Sequence, residues 1–514
     1  MGTLDWLIVA VYGVIVIAIG LAASGKQNNT DEYFRGSRQL PWWAVGLSII
    51  ATSFSAASLL GGPGQGYGHG FLWLQLQLGD LLGYGLVIGL FLPFFVGLNL
   101  TTAYEYLEKR FDAKTRSLGS FCFLLFVISR LGALLFGASV VVSTVTGLDL
   151  AIAILIVGIF SIVYTVTGGI TAVVWTDVLQ FAMIFVGIGA GIWAAINGVE
   201  GGFGALWQAA GEGDKLAVVD LSWDPDNLYS LPTALFGYGI FAFAVAGTNQ
   251  QSVQRYVSCA DVPSARKAIL LGWFSGFIGV AATLLLGVLL FGFYSLNAGL
   301  PETVGGDGIL PFFIVNQVPV GASGFLVAAI FAAAMSSIDS ALHSVSTCMT
   351  VDFYDRYFAK NSKYDSLTVA KFLIIVWGIL GILSAFYVAS TEQDLLPFLV
   401  TYSAIFLGPL LGIFLMGILL PRVNANGAFY GTVAAVILIV IGTEIGWLGN
   451  LGIWRSALTI PTAVLLGYGI SLFGGTPSRR SLAGLTIWTK EPAFKPIGRP
   501  GLEDNRDNDD EYDY

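Results

Sequence analysis

Apolar residues run in blocks of membrane length, each closed by a short polar or charged loop, over nearly the whole chain. Thirteen such blocks lie near 4–24, 41–67, 71–97, 117–146, 149–169, 172–197, 231–256, 268–295, 321–352, 367–389, 394–420, 427–449 and 454–473. About 20 apolar residues are what a helix needs to cross the ~30 Å hydrocarbon core of a bilayer. A helix is the form expected, because lipid offers no partner for a free N–H or C=O. The first block has no small-residue cleavage site ahead of a polar mature domain, so it is expected to stay as a helix.

Two blocks are interrupted. The second reads Ile49-Ile50-Ala51-Thr52-Ser53-Phe54-Ser55 and then Ser58-Leu59-Leu60-Gly61-Gly62-Pro63-Gly64-Gln65-Gly66-Tyr67. Paired glycines and a proline do not hold a regular helix, which predicts a break there. The seventh reads Phe243-Ala244-Val245-Ala246-Gly247-Thr248-Asn249-Gln250-Gln251, a polar interruption of an apolar run. The two lie five blocks apart. Broken spans at matching places in two five-helix halves point to an inverted-repeat secondary transporter with its site at the bilayer midplane. Unwound backbone there frees carbonyls as cation ligands. Glycine kinks are also ordinary in membrane helices, and no residue-level repeat links the halves.

The partition that follows has an extra helix and loop at 1–40 and a first five-helix repeat at 41–200. A long loop at 201–230 leads to a second repeat at 231–420. Two C-terminal helices occupy 421–475, and 476–514 is expected to be an acidic, unstructured cytoplasmic tail.

Polar residues inside apolar blocks carry the candidate chemistry. Ala333, Ser336, Ser337 and Ser340 share one helical face, with Asp339 beside them. Such groups should face a bundle interior or a water-filled path. Hard oxygen ligands without His or Cys suit a small hard cation; the serines also suit helix packing. Asp177 lies near the start of the sixth block, Arg130 in the fourth and Asp80 in the third. An ionised group at mid-membrane costs about 2.5–3.5 kcal/mol on insertion scales, so each needs a partner, an ion or a substrate. An ion pair of Arg130 with Asp80 is one structural account.

Composition agrees with the blocks. The 514 residues are 55% hydrophobic and 11% charged, with a mean hydropathy of +0.77, a balance foreign to soluble globular domains. The basic residues orient it. Lys26, Arg35, Arg38, Lys109, Arg110, Lys114, Arg116, Arg255, Arg266, Lys267, Arg356, Lys360, Lys363, Arg422, Arg479, Arg480 and Lys490 follow odd-numbered blocks, and the opposite loops hold only Lys215 and Arg455. The positive-inside rule then places the N-terminus outside and the C-terminus in the cytoplasm. The net charge of −9 reflects the ends and loops. Cys122, Cys259 and Cys348 make no disulfide framework, and His69 and His343 make no metal motif. No nucleophile-and-base constellation appears, so no enzyme is expected. An ion channel or membrane sensor is the alternative of a different class, but there is no repeated pore loop and no room in the tail for a kinase domain.

Four segments resemble hallmarks of the sodium/solute symporters, the family of sodium-coupled sugar, proline and sialic acid carriers. They are Tyr164-Thr165-x-x-Gly168-Gly169-x-x-Ala172-Val173-x-Trp175-Thr176-Asp177-x-x-Gln180, Val253-Gln254-Arg255-Tyr256, Ala334-Met335-Ser336-Ser337 leading to Val351-Asp352-Phe353-Tyr354, and Thr102-Ala103-Tyr104-Glu105-Tyr106-Leu107-Glu108-x-Arg110-Phe111. The likeness runs in order from residue 4 to about 473. It implies an all-α, LeuT-like membrane protein of about 13 transmembrane helices with an inverted five-helix repeat core. It also implies one or two sodium ions, a small organic solute imported by alternating access, a bacterial inner membrane, a monomer sufficient for function and no nucleic-acid partner.

The resemblance also implies roles. The carbonyls of Ala51, Phe54 and Ala333 and the hydroxyls of Ser336 and Ser337 would hold the main sodium. Asp177 would hold a second cation, with Ser336, Asp339 and Ser340. Asp339 departs from the hydroxyl expected there and could carry a proton instead; Asn249 departs from the Asp of many members. Within the family the chain is most similar to bacterial sialic acid symporters. Ser53, Ser55 and Ser58 resemble their hydroxyl-lined helix, Trp73 and Gln77 their pocket residues, and Arg130 the arginine that binds the carboxylate. A guanidinium forks onto a carboxylate as a bidentate pair. A neutral sugar is the alternative solute, and Asp80, one turn from Gln77, would repel an anion if it faced the cavity.

Overall fold

A computed structural model describes residues 2–24, 29–224, 227–297, 299–390, 395–446 and 453–489. The acidic end expected at 503–514 lies outside the described residues. Helix occupies every apolar block, and the described residues show one isolated bridge, Asp220 with Ser230, and no named strand. Eight helices among them are long and apolar enough to cross a membrane, and one further pair passes the same test while bent by 69°.

The chain opens with α1 (Thr3–Ser24) and a short α2 (Thr30–Arg35). The bent pair is α3 (Trp42–Ser53) and α4 (Ala56–His69). The break lies at Phe54 and Ser55, not at the glycines. Helix α4 runs through Gly61, Gly62, Pro63 and Gly64. Those glycines serve close packing instead. A Cβ on Gly62 would lie 2.7 Å from Thr283 Oγ1, and one on Gly64 or on the following Gly66 would overlap the Gly306 or Leu284 carbonyl oxygen. Small residues let membrane helices approach to backbone contact.

Next come α5 (Leu76–Leu86) and α6 (Leu92–Gly97), joined by a π-helical turn, then α7 (Glu105–Arg110) and α8 (Ala113–Thr146). Helix α9 (Leu150–Asn197) takes in two of the expected blocks. Its arms are separated by one residue, Gly169, whose φ of 56° and ψ of −178° a side chain would resist. After α10 (Gly202–Glu212) the second interrupted span is α11 (Gly239–Thr248) and α12 (Gln250–Val257), broken at Asn249 as the sequence predicts. The extended Asn249 caps α12, its side-chain oxygen accepting from Gln251 N at 2.9 Å. Asn and Asp cap about equally well, so this departure from the family's Asp preserves the cap.

Helix α13 (Val262–Leu296) and short α14 (Ile309–Asn316) precede α15 (Ala322–Cys348), which is buried along almost its full length and continues as a π-helical stretch, Met349–Phe358. Helices α16 (Ser366–Ala389), α17 (Leu395–Leu419), α18 (Ala425–Glu444) and α19 (Trp454–Leu472) complete the bundle. Asp caps open α8, α13 and α16 through Asp112, Asp261 and Asp365. The N-terminus of α15 is capped from another helix. Asp5 of α1 accepts from Gly321 N at 2.7 Å, Gly324 N at 2.9 Å and Ser323 Oγ at 2.8 Å.

Candidate functional site

The last turn of a helix leaves carbonyls without intrahelical partners. At the end of α3 two of these meet α15. Ser336 Oγ donates to the Ala51 carbonyl at 2.8 Å and to the Ala333 carbonyl at 3.1 Å. Ser337 Oγ donates to the Thr52 carbonyl at 2.9 Å. The structure thus brings together Ala51, Ala333 and Ser336, with Ser337 one carbonyl further along α3. Phe54 is buried, with its ring against Gly279, and its N–H donates to the Ile50 carbonyl at 2.8 Å, closing the last turn of α3. Hydroxyls that turn onto free carbonyls can turn onto a cation held between them. The donor set is all oxygen, which suits sodium.

A second polar cluster lies beside the first. Asp177 Oδ2 accepts from Ser48 Oγ at 2.5 Å, from Arg255 Nη2 at 2.9 Å and from Thr52 Oγ1 at 3.4 Å. Arg255 also donates to Ser48 Oγ at 2.7 Å, Ser340 Oγ at 2.5 Å and the Gln251 carbonyl at 2.8 Å. Ser340 Oγ lies 2.9 Å from Thr52 Oγ1 and 3.3 Å from Asp339 Oδ1. Asp177 and Asp339 therefore join one network, and the positive charge on it is Arg255. The sequence reading counted Arg255 among loop charges; it is 1% exposed. The cause is α12, a short polar helix that follows the break and carries its basic end back into the bundle. Its motif, Val253-Gln254-Arg255-Tyr256, was visible, but its direction was not. Arg110 and Arg116 are buried as well.

A narrow cleft, partly open to solvent, is lined by Thr52, Ser53, Arg130, Asn249, Gln251 and Ser252, with Arg255 and apolar Ile49 and Val245. Both helix breaks contribute to it. Of the six expected solute residues, Ser53 and Arg130 line this cleft. Ser55 and Ser58 are spent on the break itself, since Ser55 Oγ accepts from Ser58 N at 3.4 Å and caps α4. Trp73 lies 6.2 Å from the Tyr229 ring, away from the cleft lining. The Gln77 backbone carbonyl accepts from Trp273 Nε1 at 3.0 Å, and its side chain hydrogen-bonds Asp80. Arg130 and Asp80 form no ion pair among the described residues; the Tyr238 phenol hydrogen-bonds Asp80 and neighbours Arg130. The Arg130 side chain donates no hydrogen bond among those residues either. Thr52, Asn249, Gln251 and Ser252 were not singled out as solute ligands. A helix break in two spans was the signal that could have found them.

Comparison with known proteins gives the family. The sodium:solute symporter family matches residues 33–435. The sodium/sialic acid symporter NanT of Aliivibrio fischeri is 30% identical over 442 residues, 85% of this chain and 87% of the relative. SiaT of Proteus mirabilis, also a sodium/sialic acid symporter, is 31% identical over 445 residues, 85% and 89% of the two chains. A solved structure of a Na+-coupled sialic acid symporter in a substrate-bound outward-open state superposes with a TM-score of 0.83 at 28% identity, over 93% of this chain and 99% of that one. The fold is LeuT-like and all-helical, and the protein is a multi-pass membrane carrier, not an enzyme, with sodium as its coupling ion. The chain belongs to the sodium:solute symporter family.

Proposed function

We propose that this carrier imports a carboxylated, hydroxylated solute of the sialic acid class with sodium, and that Arg130 reads the carboxylate. The observation that carries the reading is a guanidinium on the cleft lining, in a span where a charge is costly, with the Tyr238 phenol as its neighbour and no ion pair to it among the described residues. The hydroxyls and amides of Thr52, Ser53, Asn249, Gln251 and Ser252 supply donors and acceptors for a polyol chain. Relatives named as sialic acid symporters support the class.

Sodium sits at the end of α3, on Ala51, Phe54, Ala333, Ser336 and Ser337, with the Thr52 carbonyl added by the geometry. Asp177, with Ser336, Asp339 and Ser340, takes a second cation, in exchange with the Arg255 guanidinium that contacts it now. The N-terminus lies outside and the C-terminus in the cytoplasm of a bacterial inner membrane. Removing buried Arg110, Arg116 and Arg255 from the loop count leaves the basic excess on the same side, because Arg455 is buried too.

A neutral sugar is the second reading, favoured by the same hydroxyl and amide lining. Binding of N-acetylneuraminate and of a neutral hexose at saturating sodium separates the two. Arg130→Lys should weaken the acid by roughly one to two decades and leave the hexose unaffected. Hexose binding without acid binding would favour the sugar reading.

A further inference from the structure

Three of the segments singled out in the sequence meet at one loop. Thr101–Glu105 precedes α7, on the side assigned to the cytoplasm. Two residues of the second break hold it. Gln250 accepts from Ala103 N at 2.9 Å and donates to the Thr101 carbonyl at 2.8 Å, so its amide grips the loop backbone at two points. Tyr104 Oη donates to the Thr248 carbonyl at 2.9 Å, the residue before the break. Gln250 is flanked by Asn249 and Gln251, which line the solute cleft.

The other side of the loop is tied to the sodium helix. Glu105 Oε1 accepts from Thr101 N and Thr102 N, each at 2.9 Å, which makes the loop stiff. Thr102 Oγ1 donates to Asp352 Oδ1 at 2.7 Å. Asp352 lies in the π-helical continuation of α15 and also accepts from Arg116 Nε at 2.8 Å and Ser120 Oγ at 2.9 Å. Arg116 adds Glu108 at 2.8 Å and the Val351 carbonyl at 3.0 Å. The α15 end is continuous in the chain with Ser336 and Ser337, and the loop joins it to the Thr248 backbone before the break and to the Gln250 side chain after it. Buried, fully satisfied polar networks rigidify the parts they join.

We propose that the loop Thr101–Glu105 is the mechanical link by which sodium at α15 resets the broken span at Asn249, with Gln250 and Tyr104 as its positioning residues. Neither touches a bound ion or solute. Each fixes where the break stands relative to α15. Gln250→Leu keeps the volume and removes both bonds to the loop. Tyr104→Phe removes one bond while the ring stays against Phe123 and Phe414.

The link rests on the proposed sodium site at α15, and its test needs no solute, so it can fail while the carboxylate reading stands, and the reverse. A cysteine at Ser252, on the cleft wall, reports the break through its alkylation rate with and without saturating sodium. The natural cysteines are buried and give little background. Sodium should change the rate at least about five-fold in Ser252→Cys, the lower end of ordinary allosteric coupling. The change should shrink to less than about two-fold when Gln250→Leu or Tyr104→Phe is added. Tyr104→Phe decides the matter if Gln250→Leu does not fold. An undiminished sodium response in the folded variants would overturn the link. So would the absence of any sodium response in Ser252→Cys itself.

Discussion

Arg255 and Asp177 form an ion pair of 2.9 Å between side chains that are 1% and 0% exposed. Removing one partner of such a pair strands a charge in low dielectric, which typically costs about 3–5 kcal/mol. Arg255→Ala should therefore lower stability sharply, whereas Arg255→Ala with Asp177→Asn should recover much of the loss. A cation at Asp177 competes with the guanidinium for the same oxygens. Arg255→Gln should accordingly raise apparent affinity at the second cation site, and Asp177→Asn should bring the sodium Hill coefficient towards one. Sodium titrations of uptake measure both, and a Hill coefficient near one in the parent protein would remove the second site from the account.

Ser336 and Ser337 donate to carbonyls of Ala51 and Thr52 at 2.8 and 2.9 Å, across the junction between α15 and the first break. Their alanine variants should raise the sodium concentration for half-maximal activation by roughly ten-fold or more, since a ligand to a charge contributes about 1.5–3 kcal/mol. Ser344, also buried on α15, donates to the Ala341 carbonyl of its own helix at 2.9 Å. Ser344→Ala should leave sodium activation within a factor of about two, because intrahelical hydroxyl bonds contribute little. Unchanged activation in both Ser336→Ala and Ser337→Ala would place sodium elsewhere.

Asp5 ties α1 to the start of α15 through Gly321, Ser323 and Gly324. It does for α15 what a capping residue does for its own helix, so Asp5→Ala should cost about 1–2 kcal/mol of stability. Asp5→Asn keeps an acceptor and should lose less. Thermal unfolding in detergent reads the difference. Equal stability in Asp5→Ala would mean that α1 packs on α15 without guiding it.

The architecture was legible because bilayer crossing imposes one length and one polarity on every span, and the blocks record both. The second break was legible because Asn249 interrupts an apolar run with a residue that caps a new helix. The first was displaced by several residues in the sequence reading. Gly61, Gly62, Pro63 and Gly64 carry the composition of a break, yet α4 passes through them. The same glycines that lower helix propensity also permit contact with α13, and packing overrides propensity. The hydroxyls of Ser336 and Ser337, proposed as sodium ligands, could be read from their shared face on α15. Ser48, Thr52 and Arg255 could not, because they depend on how three helices cross. Arg255 looked like a loop charge for the same reason: sequence shows that a span has ended, not that the chain turns back.

The central claim is that sodium drives a carboxylated solute through a cleft read by Arg130, and uptake into proteoliposomes tests it most directly. With an inward sodium gradient, N-acetylneuraminate should accumulate above equilibrium, and replacing sodium with potassium should abolish accumulation. Arg130→Lys should cut uptake at limiting solute by roughly ten-fold or more, because an ammonium cannot fork onto a carboxylate. Sodium-driven accumulation of a neutral hexose but not of the acid, with Arg130→Ala still active, would contradict the account.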